Sequence, residues 1–294
     1  MTATLRALSV GPAASRALSM PGAAVRLHSL FASTANLAVE RAAILVALTG
    51  PSGARYPHAV ALEGVSDFPT LPVSTGDAGR LHADGIHLHG QHGDLLVSLR
   101  HACRPRPRVL PLIDRTGDAL RAAARRLDDI QSRSVFDLRF SSLLGGPAAG
   151  SSVAAALSRS ARALCGARPG PGLSRAVSAL VGAGAGLTPS GDDFLSGLMA
   201  ASRASGDAAL TRALGDAVQR NLAATGDVSA SLLLCAVDGY WPDPLVDLAD
   251  ALAVDNASAA VDAVDGLCGM GHSSGSDIAT GFLFGLATVR TAST

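Results

Sequence analysis

The chain has 294 residues, enough for one large domain or two small ones, and its 48% hydrophobic and 16% charged content is that of a globular protein with a sizeable core. Net charge is zero and no basic stripe carries interleaved aromatics, which argues against nucleic acid as a partner. All 24 basic residues are arginine, so a Walker-type phosphate loop and a lysine Schiff base, both of which need a lysine, are excluded.

The first acidic residue is Glu40, and Arg6, Arg16 and Arg26 precede it. Transit peptides share that pattern, but no uninterrupted apolar stretch accompanies it, so residues 1–23 read as a poorly ordered, alanine-rich start. Short apolar or alternating runs follow at 25–31, 36–39, 44–48, 59–62, 71–73, 85–89 and 95–99. Turn residues separate them: Gly50-Pro51-Ser52-Gly53, Gly76-Asp77, Asp84-Gly85 and Gly93-Asp94. Strands of this length and spacing predict an antiparallel sheet or small barrel. The run Arg104-Pro105-Arg106-Pro107-Arg108 closes that part, because proline cannot continue a ladder.

After Pro111 the apolar period becomes helical. Helices are expected at 118–130, 151–165, 174–181, 193–203, 208–223, 229–236, 244–253, 257–266 and 277–289. The expected class is therefore α+β, with a β-rich domain over 24–110 and an all-helical domain over 111–294. Aromatic residues make up only 3%, so the core must be Ala, Leu and Val, which suits helices that approach closely. Cys103, Cys165, Cys235 and Cys268 are widely spaced and form no Cys-x-x-Cys pair, consistent with reduced thiols in the cytoplasm. No stretch of roughly 18 apolar residues suggests a membrane span.

One element occurs twice. Ser190-Gly191-Asp192-Asp193 starts the first copy and Ser274-Gly275-Ser276-Asp277 the second; each continues with an apolar residue, a variable position, Ser or Thr, and Gly. Ser-x-x-Asp before an apolar run is a helix-start signature, with Ser190, or Thr188 ahead of Pro189, as the expected cap. Gly182, Gly184 and Gly186 lead into the first copy, and Gly269 and Gly271 into the second. A glycine-rich loop feeding a helix start is a ready anion site. Asp192 and Asp193 point roughly 100° apart on a helix, so one can serve the helix start while the other faces a ligand or a metal ion. His272, the single histidine of the helical part, lies between Gly271 and the second helix start and is the acid–base candidate. Gly197 and Gly281, one turn further on, imply that the two helices pack together. Thr225 and Ser229 stand four apart and would share a face if helical.

The cluster His82, His87, His89 and His92 has metal-ligand residue types, with His87 and His89 on one strand face. No cysteine and no carboxylate triad accompanies it in the sequence, so no metal is assigned there. No Gly-x-Ser-x-Gly elbow is present, and the 182–186 glycines follow a helix, unlike a dinucleotide fingerprint.

The segment Gly184-Ala185-Gly186-Leu187-Thr188-Pro189-Ser190-Gly191-Asp192-Asp193 resembles the AllH family, subunits of the oxamate carbamoyltransferase of allantoin breakdown. Gly271 to Asp277, the Thr225…Ser229 pair and, loosely, Leu27-His28-Ser29 with Asn36-Leu37 extend the resemblance; Ala185 stands where proline is frequent. The resemblance implies a subunit that works with other proteins to move a carbamoyl group between oxamate and phosphate. It implies a small anionic substrate, with carbamoyl phosphate or phosphate as ligand and no resident cofactor. A metal ion at Asp192 and Asp193 stays open. On this reading Asp192, Asp193 and His272 are the catalytic candidates. Gly184, Gly186, Thr188, Ser190 and Gly191 would bind the ligand from the first copy, Ser273, Ser274, Gly275 and Asp277 from the second, and Thr225 and Ser229 from between them. The alternative is a non-catalytic scaffold or regulatory subunit whose repeated motifs serve helix packing.

Overall fold

The computed structural model describes residues 2–113, 117–130, 152–164 and 168–288. The chain divides into two compact units, Met1–Arg108 with Tyr240–Asp243, and Val109–Gly239 with Pro244–Thr294. The fold is α+β, a closed barrel followed by a helical region.

The barrel has eight strands: β1 (Thr2–Val10), β2 (Ala24–Phe31), β3 (Thr34–Val39), β4 (Leu45–Thr49), β5 (Ala59–Leu62), β6 (Ala78–His82), β7 (Gly85–Gly90) and β8 (Gly93–Ser98). Their order around the barrel is β1-β5-β4-β3-β2-β6-β7-β8. The β1–β8 and β4–β5 pairs are parallel and the rest antiparallel. Alternation sends Val25 and Leu27, Leu37 and Val39, Ile86 and Leu88, and Leu95 and Val97 inward, where they are buried. Phe68 is also fully buried within this core. A short helix, α1 (Pro12–Ala17), follows β1.

Three expectations change here. Residues 2–10 are not a poorly ordered start; they form β1, which closes the barrel between β5 and β8. The 71–73 run is not a strand, since Pro72 removes an amide donor from it and Phe68–Thr70 just before it is a single 3-10 turn. A strand lies instead at Ala78–His82, where Gly79 lets β7 come close enough that a Cβ would stand 2.8 Å from the Leu88 Cα.

The helical unit contains α2 (Asp118–Ile130), α3 (Ser152–Arg162), α4 (Pro171–Ser178), α5 (Ser190–Ala204), α6 (Ala208–Asn221), α7 (Asp227–Val237), α8 (Asp243–Ala253), α9 (Ala257–Cys268) and α10 (Ser274–Thr288). Asp207 and Asn256 cap α6 and α9 by accepting from Leu210 and Ala259 amides. The ends of the expected 151–165 and 277–289 helices, Cys165 among them, lie outside the described residues. The most extensive helix pair is α5 with α10, the two that carry the repeated element. No helix among the described residues is long and apolar enough to cross a membrane.

Candidate functional site

The repeat is a structural repeat. Both helices are 15 residues long and begin at the serine of Ser-Gly-x-Asp. A methyl group at Gly197 would overlap the Ile278 carbonyl oxygen, and one at Gly281 the Phe194 carbonyl oxygen, so each glycine meets the counterpart residue of the other copy. Gly285 likewise faces Ala201 and Leu198. These contacts advance along both helices in the same direction, so α5 and α10 run parallel and start at the same end. Glycines that let two backbones touch bring Cα–H groups against carbonyl oxygens. The Phe194 and Phe284 rings, 5.6 Å apart, fill the adjoining space. Gly191 and Gly275 repeat the device at the helix starts, against the carbonyls of Leu180 and Leu267.

The expected caps are absent. Pro189 takes the position before α5, with φ −56° and ψ 141°, and no side chain caps the helix. Thr188 and Ser274 meet each other instead, Oγ1 to Oγ at 2.7 Å, and so tie the first helix start to the second. Both hydroxyls lie by the Asp193 carboxyl and favour its ionised form. Asp193 and Asp277 are buried, at 4% and 0% exposure. Desolvation pushes the Asp193 carboxyl well above the usual carboxylate range; the Ser274 bond opposes this, while the neighbouring Asp277 and Asp192 charges and the Thr188 bond contribute less. Asp193 Oδ2 and Ser276 Oγ are buried without a hydrogen-bond partner.

Asp192 is fully committed to the fold. Its Oδ1 accepts from the Gly182 amide at 2.8 Å; its Oδ2 accepts from Thr225 Oγ1 at 2.5 Å and Ser229 Oγ at 2.7 Å. Thr225 ends a 3-10 turn and Ser229 lies in α7, so they converge on this carboxylate without sharing a helix. Gly182, Gly184 and Gly186 all have positive φ, at 74°, 128° and 95°, and neither Ala183 nor Ala185 does. The Gly182 amide is taken by the chain's own Asp192 carboxylate and the Ala183 amide by the Leu180 carbonyl. Among the described residues no group of three metal-ligating side chains forms at the helix starts.

The helix-start amides are largely spent as well. Gly191 donates to Ala183, Asp192 and Asp193 to Pro189, Gly275 to Met270 and Asp277 to Ser273. What lies open is the rim. Gly184, Ala185, Gly186 and Leu187 are exposed, and no backbone acceptor among the described residues takes their amides. Thr188, Ser273 and Ser274 are half-buried, while Ser190 is buried and Gly271 and His272 are exposed.

The first copy, the Asp192 partners and the second copy thus form one constellation within the helical unit. Residues 180–286 match the family model described as oxamate carbamoyltransferase subunit AllH. The matched segment runs from the glycine loop through nearly all of α10, so it contains the AllH-like motifs 184–193 and 271–277 and the Thr225–Ser229 pair between them. No solved structure matches the chain significantly. The looser resemblance at 27–37 falls on the barrel, outside the AllH match. There a bulge between Leu27 and Ser29 sets His28 Nδ1 3.2 Å from Ser29 Oγ, to which buried Asn36 donates at 3.0 Å. Asp94, taken as part of a turn, is in β8 opposite His89.

Proposed function

We propose that this chain is a subunit of a carbamoyltransferase-type complex, and that the rim of its paired helix starts binds a small anion. The observation that carries this reading is the Thr188–Ser274 hydrogen bond, which joins the two AllH-like motifs at one end of a parallel helix pair. Oxamate, phosphate or carbamoyl phosphate is the ligand class that the AllH match suggests for such a rim. The donors would be the open 184–187 amides and the Thr188 and Ser273 hydroxyls, with His272 exposed beside them to carry a proton. Asp193, whose carboxyl is held toward its neutral form by burial, presents less negative charge to an incoming anion than an ordinary carboxylate. Asp192 serves as a positioning residue that clamps the glycine loop onto Thr225 and Ser229. The reaction class is transfer of a carbamoyl group between oxamate and phosphate in allantoin nitrogen breakdown, in the cytoplasm, with other subunits of the complex supplying the remaining groups.

The scaffold reading also has an observation behind it. Gly191, Gly197, Gly275 and Gly281 each serve backbone packing, which accounts for four motif glycines without a ligand. Titration calorimetry separates the two. The anion reading expects the wild-type chain to bind oxamate, phosphate or carbamoyl phosphate, and His272→Ala and Thr188→Val to weaken that binding with the fold intact. A wild-type chain indifferent to all three anions leaves the scaffold reading.

A further inference from the structure

A second cluster belongs to the barrel unit. Along β7, Ile86 and Leu88 point into the barrel, so His87 and His89 stand together on its outer face. Their rings are 4.1 Å apart. The β7–β8 register pairs His89 with Asp94, which brings a carboxylate onto the same face. Asp94 Oδ2 lies 3.2 Å from His87 Nε2, and Oδ1 lies 3.4 Å from His89 Nδ1. One potential ligand atom from each of the three residues falls within 4.8 Å of the others, the only such trio among the described residues. Donors about 2.0–2.2 Å from a tetrahedral zinc ion stand about 3.3–3.6 Å from one another, close to the two imidazole–carboxylate separations present here. His82, on β6, has its ring 6.2 Å from that of His87, within reach of a fourth position. The neighbouring cation, Arg80, is engaged with the Gly22 carbonyl at 3.0 Å.

We propose that His87, His89 and Asp94 form a site for a divalent transition-metal ion on the outer face of the barrel. Two imidazoles and a carboxylate suit zinc, cobalt, nickel or copper better than calcium or magnesium, which prefer all-oxygen sites. A two-stranded antiparallel ladder fixes all three residues, so the donors are preorganised before the ion arrives. Three protein donors leave coordination positions for water, His82 or an anion.

The test is titration of the full-length chain with zinc, and with cobalt, whose visible ligand-field bands report tetrahedral protein ligands. One equivalent of zinc is expected on the wild-type chain, with imidazole-type cobalt bands. His87→Ala and Asp94→Ala should each lower the affinity by more than about tenfold, a loss that outer-shell changes alone can reach. His92→Ala and Cys103→Ser should bind as the wild type does. The substituted side chains all lie on the outer surface of the unit, and far-ultraviolet circular dichroism verifies the barrel in each variant. Absence of stoichiometric zinc binding by the wild-type chain overturns the proposal. So does binding that survives His87→Ala and Asp94→Ala undiminished.

Discussion

Alanine in place of Gly197 is the sharpest test of the parallel helix pair. In an exposed helix this change stabilises by about 1 kcal/mol, because alanine loses less backbone entropy. Here the new Cβ would stand 2.7 Å from the Phe282 amide nitrogen and 3.0 Å from the Ile278 carbonyl carbon, and would overlap the Ile278 oxygen. Ordinary contacts begin near 3.4 Å, and the obstructing atoms are backbone that cannot rotate away. The helices must part by the better part of an ångström along an interface that buries Phe194, Phe282 and Phe284. Overpacking of this kind costs typically 1–3 kcal/mol, and the lost dispersion between separated helices adds to it, so a net loss of about 2–3 kcal/mol is expected. Gly215 provides the control. It is inside α6, has no positive φ, and its nearest neighbour to an added Cβ is a Val237 methyl at 3.6 Å. Gly215→Ala should therefore stabilise, by up to about 1 kcal/mol. The assay is the urea midpoint of the helical far-ultraviolet circular dichroism signal, with the slope verified as unchanged. Opposite signs for the two variants are expected. A Gly197→Ala protein as stable as wild type, or more so, refutes the close approach of α5 and α10.

Asp192→Asn keeps the shape but turns one acceptor into a donor facing Gly182 or the Thr225 and Ser229 hydroxyls. It should cost about 1–3 kcal/mol in the same urea assay, the usual loss when a buried donor goes unsatisfied. Asp193 gives a pH signature. Its folded pKa is raised above the unfolded value of about 3.9, so its contribution is fully present below that pH and is lost as pH rises through the folded pKa. Stability profiles of wild type and Asp193→Asn should therefore diverge with rising pH, the variant being relatively more stable at the high end; parallel profiles would contradict the raised value. Among the three described cysteines, thiol labelling of the native chain should modify exposed Cys103 first. Buried Cys235, its thiol pushed up to about 12 by burial and then by Asp238, and buried Cys268 should react only on unfolding.

Local signals in the sequence were strong for the helices. The Ser-x-x-Asp spelling locates the starts of α5 and α10, and Gly197 with Gly281 foretells their contact, because a helix-interior glycine needs a packing reason. Non-local pairing left weaker signals. The residues of β1 mix Thr, Ala, Leu, Arg, Ser and Val without strict alternation and become a strand only between β5 and β8, which are distant in sequence. Asp94 reads as a turn residue beside Gly93, and only the β7–β8 register sets it against His89. The fate of Asp192 was equally hidden. Spacing says that it diverges from Asp193, whereas its partners Gly182, Thr225 and Ser229 come from three separate segments. Nor does a sequence show that the amides of Gly191, Asp192 and Gly275 are already taken by Ala183, Pro189 and Met270, which moves the open donors from the helix starts to the loop rim.

Amide hydrogen exchange with and without saturating carbamoyl phosphate, phosphate or oxamate tests the anion rim most directly. A ligand bound between the two motifs should slow exchange in residues 184–188 and 272–274 together, with no comparable change in the barrel. Protection of one segment without the other, or of neither, would contradict a shared site at the paired starts of α5 and α10.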